Sequence, residues 1–445
     1  MDDDENSDAD SQASGSSGID HVEYAPQELP EGLEVQVFED EEDRELLTTA
    51  QDVTNGRDPQ NIPWDRLQVS RSKYRETRMQ SYPNYVNLRD VFEQNHDRLR
   101  TESLIVRKDG CRFYNFHQNL QNVRSDIAHF QLRHLLWATS KHDVYTTSEA
   151  CIMHWSTITQ KATKVLDCNS LPGESGPVGA NGRAQISTFC ARHDLLAAGG
   201  FAGELDVVHS HRPGLLCSKR VTTSEMGITN GIDIFQSPSG SLDLLTSNND
   251  NVVRCFGAET FQEKCSFGFE WPVNLAIANP CEGGSSLMIV VGDDTDAFVM
   301  DLRTRNHVHR LKGHLDYSFA ASWHPFDGHT VATGNQDMCT RVWDLRKPSE
   351  SSVTLYGRLG AVRSLRYSPD GRLLAASEPA DFVQLYDVTS GYRRCQEIDL
   401  FGEVGGISFS PDGSSFFVSI ADVAYSSLQE YVIAQDWRKD EGLVY

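Results

Sequence analysis

No run of 18 or more apolar residues occurs in the 445-residue chain, so no helical membrane span is expected. Paired cysteines are missing too. The ten cysteines (Cys111, Cys151, Cys168, Cys190, Cys217, Cys255, Cys265, Cys281, Cys339 and Cys395) stand singly, with no CxxC. That spacing argues for reduced thiols packed as small apolar groups, not for a disulfide framework or a zinc site. A basic, apolar leader is lacking: the chain begins MDDDENSDAD, acidic from its second residue. Neither a secretory signal nor a transit peptide reads that way, and the expected location is cytoplasmic, nuclear or both. Positive charge is scarce, 40 Lys and Arg against 64 Asp and Glu, for a net charge of −24.

The acidity is concentrated at one end. Residues 1–45 hold 17 Asp and Glu and a single Arg, a local charge of −16, which leaves −8 for the rest. No general basic face exists to neutralise phosphates, so nucleic-acid binding is not expected. A segment this charged cannot bury enough apolar surface to offset its chain entropy, and residues 1–60 are predicted to form a disordered acidic arm. The run FEDEEDRE (38–45) serves as a solubility element or as a docking tail for a basic partner.

Residues 61–102 differ in kind. Trp64, Tyr74, Tyr82, Tyr85 and Phe92 stand among many arginines, an aromatic density foreign to linkers. The pattern predicts a short helix around 71–80 that ends before Pro83. The segment is expected to lie along the main domain, aromatics in grooves and arginines reaching outward. Interleaved aromatic and basic residues also suit single-stranded nucleic acid, but no stacking platform or basic surround accompanies them.

A repeat begins near residue 125. Its unit is an alternating apolar strand, a turn with Asp-Gly, a second strand of small residues, a tight polar turn with Asp, and a third strand ending in an aromatic. GHLDYSFAASWHPFDGHTVATGNQDMCTRVWDLR (313–346) is the clearest copy, followed by 360–388 and 405–420. SPDG recurs at 368–371 and 410–413, placing Pro and Asp-Gly where the backbone reverses. Weaker copies begin near 127, 183, 230 and 272, roughly the 40–45-residue period of propeller blades plus insertions.

These residues resemble the WD40 family over about 125–435. The resemblance implies an all-β fold: a single seven-bladed WD40 β-propeller over 103–445. An N-terminal strand from SLIVRKDGCRFYNF (103–116) would complete the last blade and remove its exposed edge. It also implies a buried structural tetrad of His314, Thr333, Asp337 and Trp343 in the clearest blade. Asp250–Phe256, Asp294–Met300 and Glu149–Trp155 repeat the six-residue spacing, whereas Asp381 precedes Tyr386 by five, so that blade is not expected to hold the full set. The IPWDRL…YRETR…YPNY stretch is similar to that of a fungal and plant group of WD-repeat proteins, a likeness that implies no particular activity.

Chemistry is hard to find. GESGPVGANG (173–182) precedes no helix that could aim an N-terminus at a phosphate, and HSH (209–211) and HVH (307–309) lack further metal ligands nearby. No GxSxG, HExxH or paired-carboxylate motif occurs. No catalytic residue, metal or cofactor is expected, and the resemblance implies a non-catalytic scaffold whose partners are other proteins, with no membrane. VATGNQDMCTRVWDLR (331–346) also resembles the sixteen-residue box of substrate receptors for cullin-4 ubiquitin ligases, with Asp337, Trp343, Asp344 and Arg346 in place. MIVVGDDTDAFVMDLR (288–303) matches it with Arg303 but carries Met300 for Trp. Arg303, Asp344 and Arg346 are therefore the candidate partner-binding residues, and a cullin-4 ligase adaptor is the alternative partner. Blade folding already demands Asp337 and Trp343, so Asp344 and Arg346 carry the extra information.

Overall fold

The computed structural model describes residues 46–108, 110–170, 185–281 and 286–439. Most of the acidic arm and the glycine-rich stretch 173–182 lie outside them. The described residues all fall in one compact unit.

Each repeat becomes a four-stranded antiparallel sheet, in which alternating side chains feed the two faces. Five separate sheets span 136–167 (blade 1), 186–220 (blade 2), 229–268 (blade 3), 273–311 (blade 4) and 318–356 (blade 5). An eight-stranded sheet holds two more blades, because the long strand Cys395–Phe409 serves both. Its first half pairs with Ala380–Asp387 as the outer strand of blade 6, and its second half with Ser415–Ala421 as the inner strand of blade 7.

The inner strands of the seven units touch their neighbours in cyclic order, the seventh returning to the first. The apolar packing says the same. Seven hydrophobic clusters fill the gaps between consecutive blades; the last joins Phe417 and Leu428 of blade 7 to Leu136, Val144 and Trp155 of blade 1. The core is thus a ring of inter-blade layers, and both faces of each blade are covered, which is why the inner strands read as nearly continuous apolar runs.

Two strands from before the repeats join blade 7. β2 (Tyr114–Leu120) pairs with Ser427–Ile433, and β1 (Leu47–Thr49) adds a fifth strand beyond it. Residues 46–60 therefore correct the expected disordered arm: β1 is followed by helix α1 (Ala50–Thr54), capped by Thr49 in a reciprocal box with Asp52. The SPDG turns show why they recur. In each, the Ser and Asp side chains tie the turn together, and the glycine (Gly371, φ 70°; Gly413, φ 66°) takes the left-handed conformation that closes it.

Candidate interaction surface

Blade 5 assembles the four residues of the expected tetrad. Thr333 lies in its second strand, Trp343 in its third, Asp337 in the turn between them, and His314 in the loop entering the blade. His314 Nδ1 lies 2.9 Å from Asp337 Oδ2 and its Nε2 2.8 Å from Thr333 Oγ1; Trp343 Nε1 donates to the same hydroxyl at 2.9 Å. Asp337 also accepts from the backbone N–H groups of Leu315 and Cys339. Every polar atom of a fully buried carboxylate is thereby answered.

Other blades solve the same problem with other residues. Asp250 is clamped by Arg254 at 2.6 Å and 3.1 Å, Asp294 accepts from the Asp296 backbone, and the Trp155 indole finds no partner. In blade 6 a glutamate takes the aspartate's task. Glu378, fully buried, accepts from the backbone N–H of Arg358, Leu359 and Gly360 and from Gln384. Burial pushes its carboxyl above the ordinary range, and the four donors oppose that rise. Reading for an aspartate six places before the aromatic overlooked it; Gly357-Arg358 standing where blade 5 has Gly313-His314 was the available signal.

Asp381 is thereby left for something else. Its buried carboxylate accepts from Arg75 (2.6 Å), from Arg78 (2.6 Å and 2.9 Å) and from the Gly402 backbone (3.1 Å). Both arginines lie on α2 (Arg71–Ser81), capped by Ser70, within the 61–102 extension. The expectation that arginines here reach outward is corrected: Arg75 is buried, stacked over Phe401 (4.0 Å) and bonded to Asp399 (2.8 Å). An amphipathic pattern of aromatics cannot reveal an inward guanidinium whose carboxylate lies 306 positions away. For Arg78, burial opposes its charge, and the Asp381 carboxylate overcomes that and holds it protonated.

The rest of the extension follows the same face. Gln60, just ahead of the extension, exchanges two hydrogen bonds with the Phe401 backbone, and Trp64 and Tyr74 close on the Phe401 ring. Tyr82 packs on Leu359, Ala380 and Phe382. Asn84 bonds Gln336, Asn87 bonds Asp316, and α3 (Arg89–Glu102) sets His96 against the Tyr356 hydroxyl. The strap covers the face that carries the turns between second and third strands, across blades 7, 6 and 5.

The three candidate partner-binding residues sit at the opposite face, where third strands end. The exposed Arg346 is turned back onto Asp344, Nε to Oδ1 at 2.9 Å and Nη2 to Oδ2 at 2.8 Å, and holds that half-buried carboxylate down to about 2. Arg303 is more open, 3.9 Å from Asp301. Two neighbouring arginines are present, but one already has its carboxylate.

On this same face the turns between first and second strands surround a funnel of about 540 Å³. Trp137 stands in its wall and the buried Trp323 lies behind it, each held by its indole N–H on a neighbouring blade's carbonyl, Phe189 at 2.6 Å and Ile277 at 3.1 Å. Pro280, Pro325, Pro369 and Pro411 line it from four successive blades. Arg366, on the inner strand of blade 6, brings its guanidinium 4.5 Å over the Trp137 ring. In the sequence these prolines read only as turn formers; that they converge on one opening is a property of the ring. His209, His211, His307 and His309 do not assemble a site, and no group of three or more His, Cys, Asp or Glu able to hold a metal exists among the described residues.

The repeats match the family model of the WD domain, G-beta repeat, at residues 305–344 and 349–382. Coronin-7 of Rattus norvegicus is 32% identical over 80 residues, 18% of this chain and 9% of that protein. The DENN domain and WD repeat-containing protein SCD1 of Arabidopsis thaliana is 23% identical over 152 residues, 34% of this chain and 12% of that one. The chain thus matches only about a tenth of the length of these relatives. Among solved structures, U3-55K aligns with a TM-score of 0.54 at 14% identity, covering 68% of this chain and 96% of the other. A chain of the mitotic checkpoint complex gives 0.58 at 14%, covering 74% and 96%. The RRP9 WD40 repeats give 0.55 at 16%, covering 69% and 96%. The chain carries WD40 repeats at 305–344 and 349–382 and has the fold of the propellers it aligns with.

Proposed function

We propose that this chain is a non-catalytic protein-binding scaffold that presents the funnel face to its partners. One observation carries the reading: the chain covers its own opposite face over three blades with a strap anchored by buried ion pairs, and leaves the funnel open. Open concave surfaces with fixed aromatic walls are where propellers have contact area to offer. The acidic segment before the strap serves as an accessory element for basic partners.

A role as substrate receptor of a cullin-4-type ligase is the alternative, resting on Arg303, Asp344 and Arg346. The Arg346–Asp344 pair speaks against it, because an adaptor would first have to part them. Affinity purification of the wild-type chain beside the Arg303→Ala/Arg346→Ala variant separates the two. The scaffold reading predicts an unchanged partner set and a stability change within about 0.5 kcal/mol, the usual range for exposed sites. Loss of a ligase adaptor from the folded variant would establish the receptor instead.

A further inference from the structure

Arg366 has no acidic partner. Its Nη1 donates to the carbonyl of Leu365 at 3.2 Å, its Nε is buried without an acceptor, and no carboxylate among the described residues pairs with it. The one buried carboxylate nearby is taken: Asp233 accepts from Arg192 at 3.2 Å and from the Ala278 backbone at 2.9 Å. The other acidic residue at the funnel, Asp194, sits exposed with His211 3.9 Å away. A half-buried guanidinium with its Nε unanswered is costly unless an anion meets it.

We infer that the funnel receives one acidic side chain, Asp or Glu, from an extended segment of a partner protein. Its carboxylate lies on Arg366, and the flanking residues rest on Trp137 and the rim prolines. The charge count selects the class. One uncommitted cation answers one negative charge, while a phosphate dianion would want a second, and Arg192 is already spent on Asp233. The geometry is prepared: stacking on Trp137 fixes the guanidinium plane, and a fixed fork suits the two oxygens of a carboxylate. Trp and Pro side chains around one cation that lacks its own carboxylate describe a pocket in which one polar contact sets orientation. The inference rests on the scaffold reading and names its partner chemistry.

The test is selection of random 12-residue peptides on the purified full-length chain, followed by titration of the synthetic winners. The inference expects a shared Asp or Glu among apolar neighbours. Replacing that residue by its amide weakens binding to the wild-type chain about tenfold or more, as for loss of a charge-assisted pair. Arg366→Gln does the same, and the two changes together cost little beyond either alone. Winners without a common acid, or an amide peptide that binds equally well, overturn it. Should Arg366→Gln fail to fold, the amide comparison on the wild-type chain decides by itself. Displacement of the peptide by N-acetylglutamate at the peptide's own affinity would also overturn it, in favour of a small carboxylate ligand. Co-purified partners that excess peptide fails to displace leave the scaffold reading standing and remove the funnel assignment. The absence of any partner removes the scaffold reading, whatever the peptides do.

Discussion

Asp381→Ala releases α2 from the propeller. The substitution leaves Arg78 buried opposite no carboxylate, leaves Arg75 with only the more exposed Asp399, and strips the Gly402 N–H of its acceptor. Removing one partner of a buried pair costs about 3–5 kcal/mol, most of it the penalty of the charge left behind. A peripheral strap can escape that penalty by undocking, so the effect is read locally. Amide exchange over 71–81 accelerates and trypsin gains access to Arg75 and Arg78, while the blade strands keep their protection. Replacing all three residues together, Asp381→Leu with Arg75→Met and Arg78→Leu, restores most of the docking, because the desolvation cost vanishes along with the attraction. Unaltered protection of 71–81 in Asp381→Ala would show that the aromatic contacts on Phe401 hold the strap alone.

Trp343→Ala has the other large expected effect. The indole is wholly buried between blades 4 and 5, packed with Val299, Trp323 and Val331, and bonded to Thr333. Loss of so large a side chain removes its transfer energy and leaves a cavity, about 3–5 kcal/mol in all. Trp343→Phe retains much of the volume and loses the hydrogen bond, at about 1–3 kcal/mol. Urea denaturation distinguishes them by midpoint at unchanged slope. A loss under about 1 kcal/mol for the alanine variant would mean that blade 5 relaxes around the gap and that the tetrad is dispensable.

These two sites differ in how far a linear reading reaches them. Trp343 and its companions lie within 30 residues of one another, at spacings set by one blade, so a single copy of the repeat exposes them. The ring itself was legible for the same reason: SPDG, HPFDG and the Asp-to-aromatic interval are local demands of strands and turns. Asp381 was legible only as a misfit, one place too near its aromatic. Its partners lie on a helix about 300 positions upstream, and the glutamate that replaces it was hidden by a change of residue type. The funnel was not legible at all. Each proline serves its own turn, and Arg366 is one polar residue in an inner strand; their convergence exists only after the blades close.

The most direct test of the account is cross-linking with mass spectrometry on the full-length chain bound to whichever partner co-purifies from native cells. The account predicts links to the turns that rim the funnel, near His193, Phe326, Asp370 and Asp412, with the strap over 61–102 free of them. Links concentrated on the strap, or around Arg303 and Arg346 with the funnel rim silent, would contradict it.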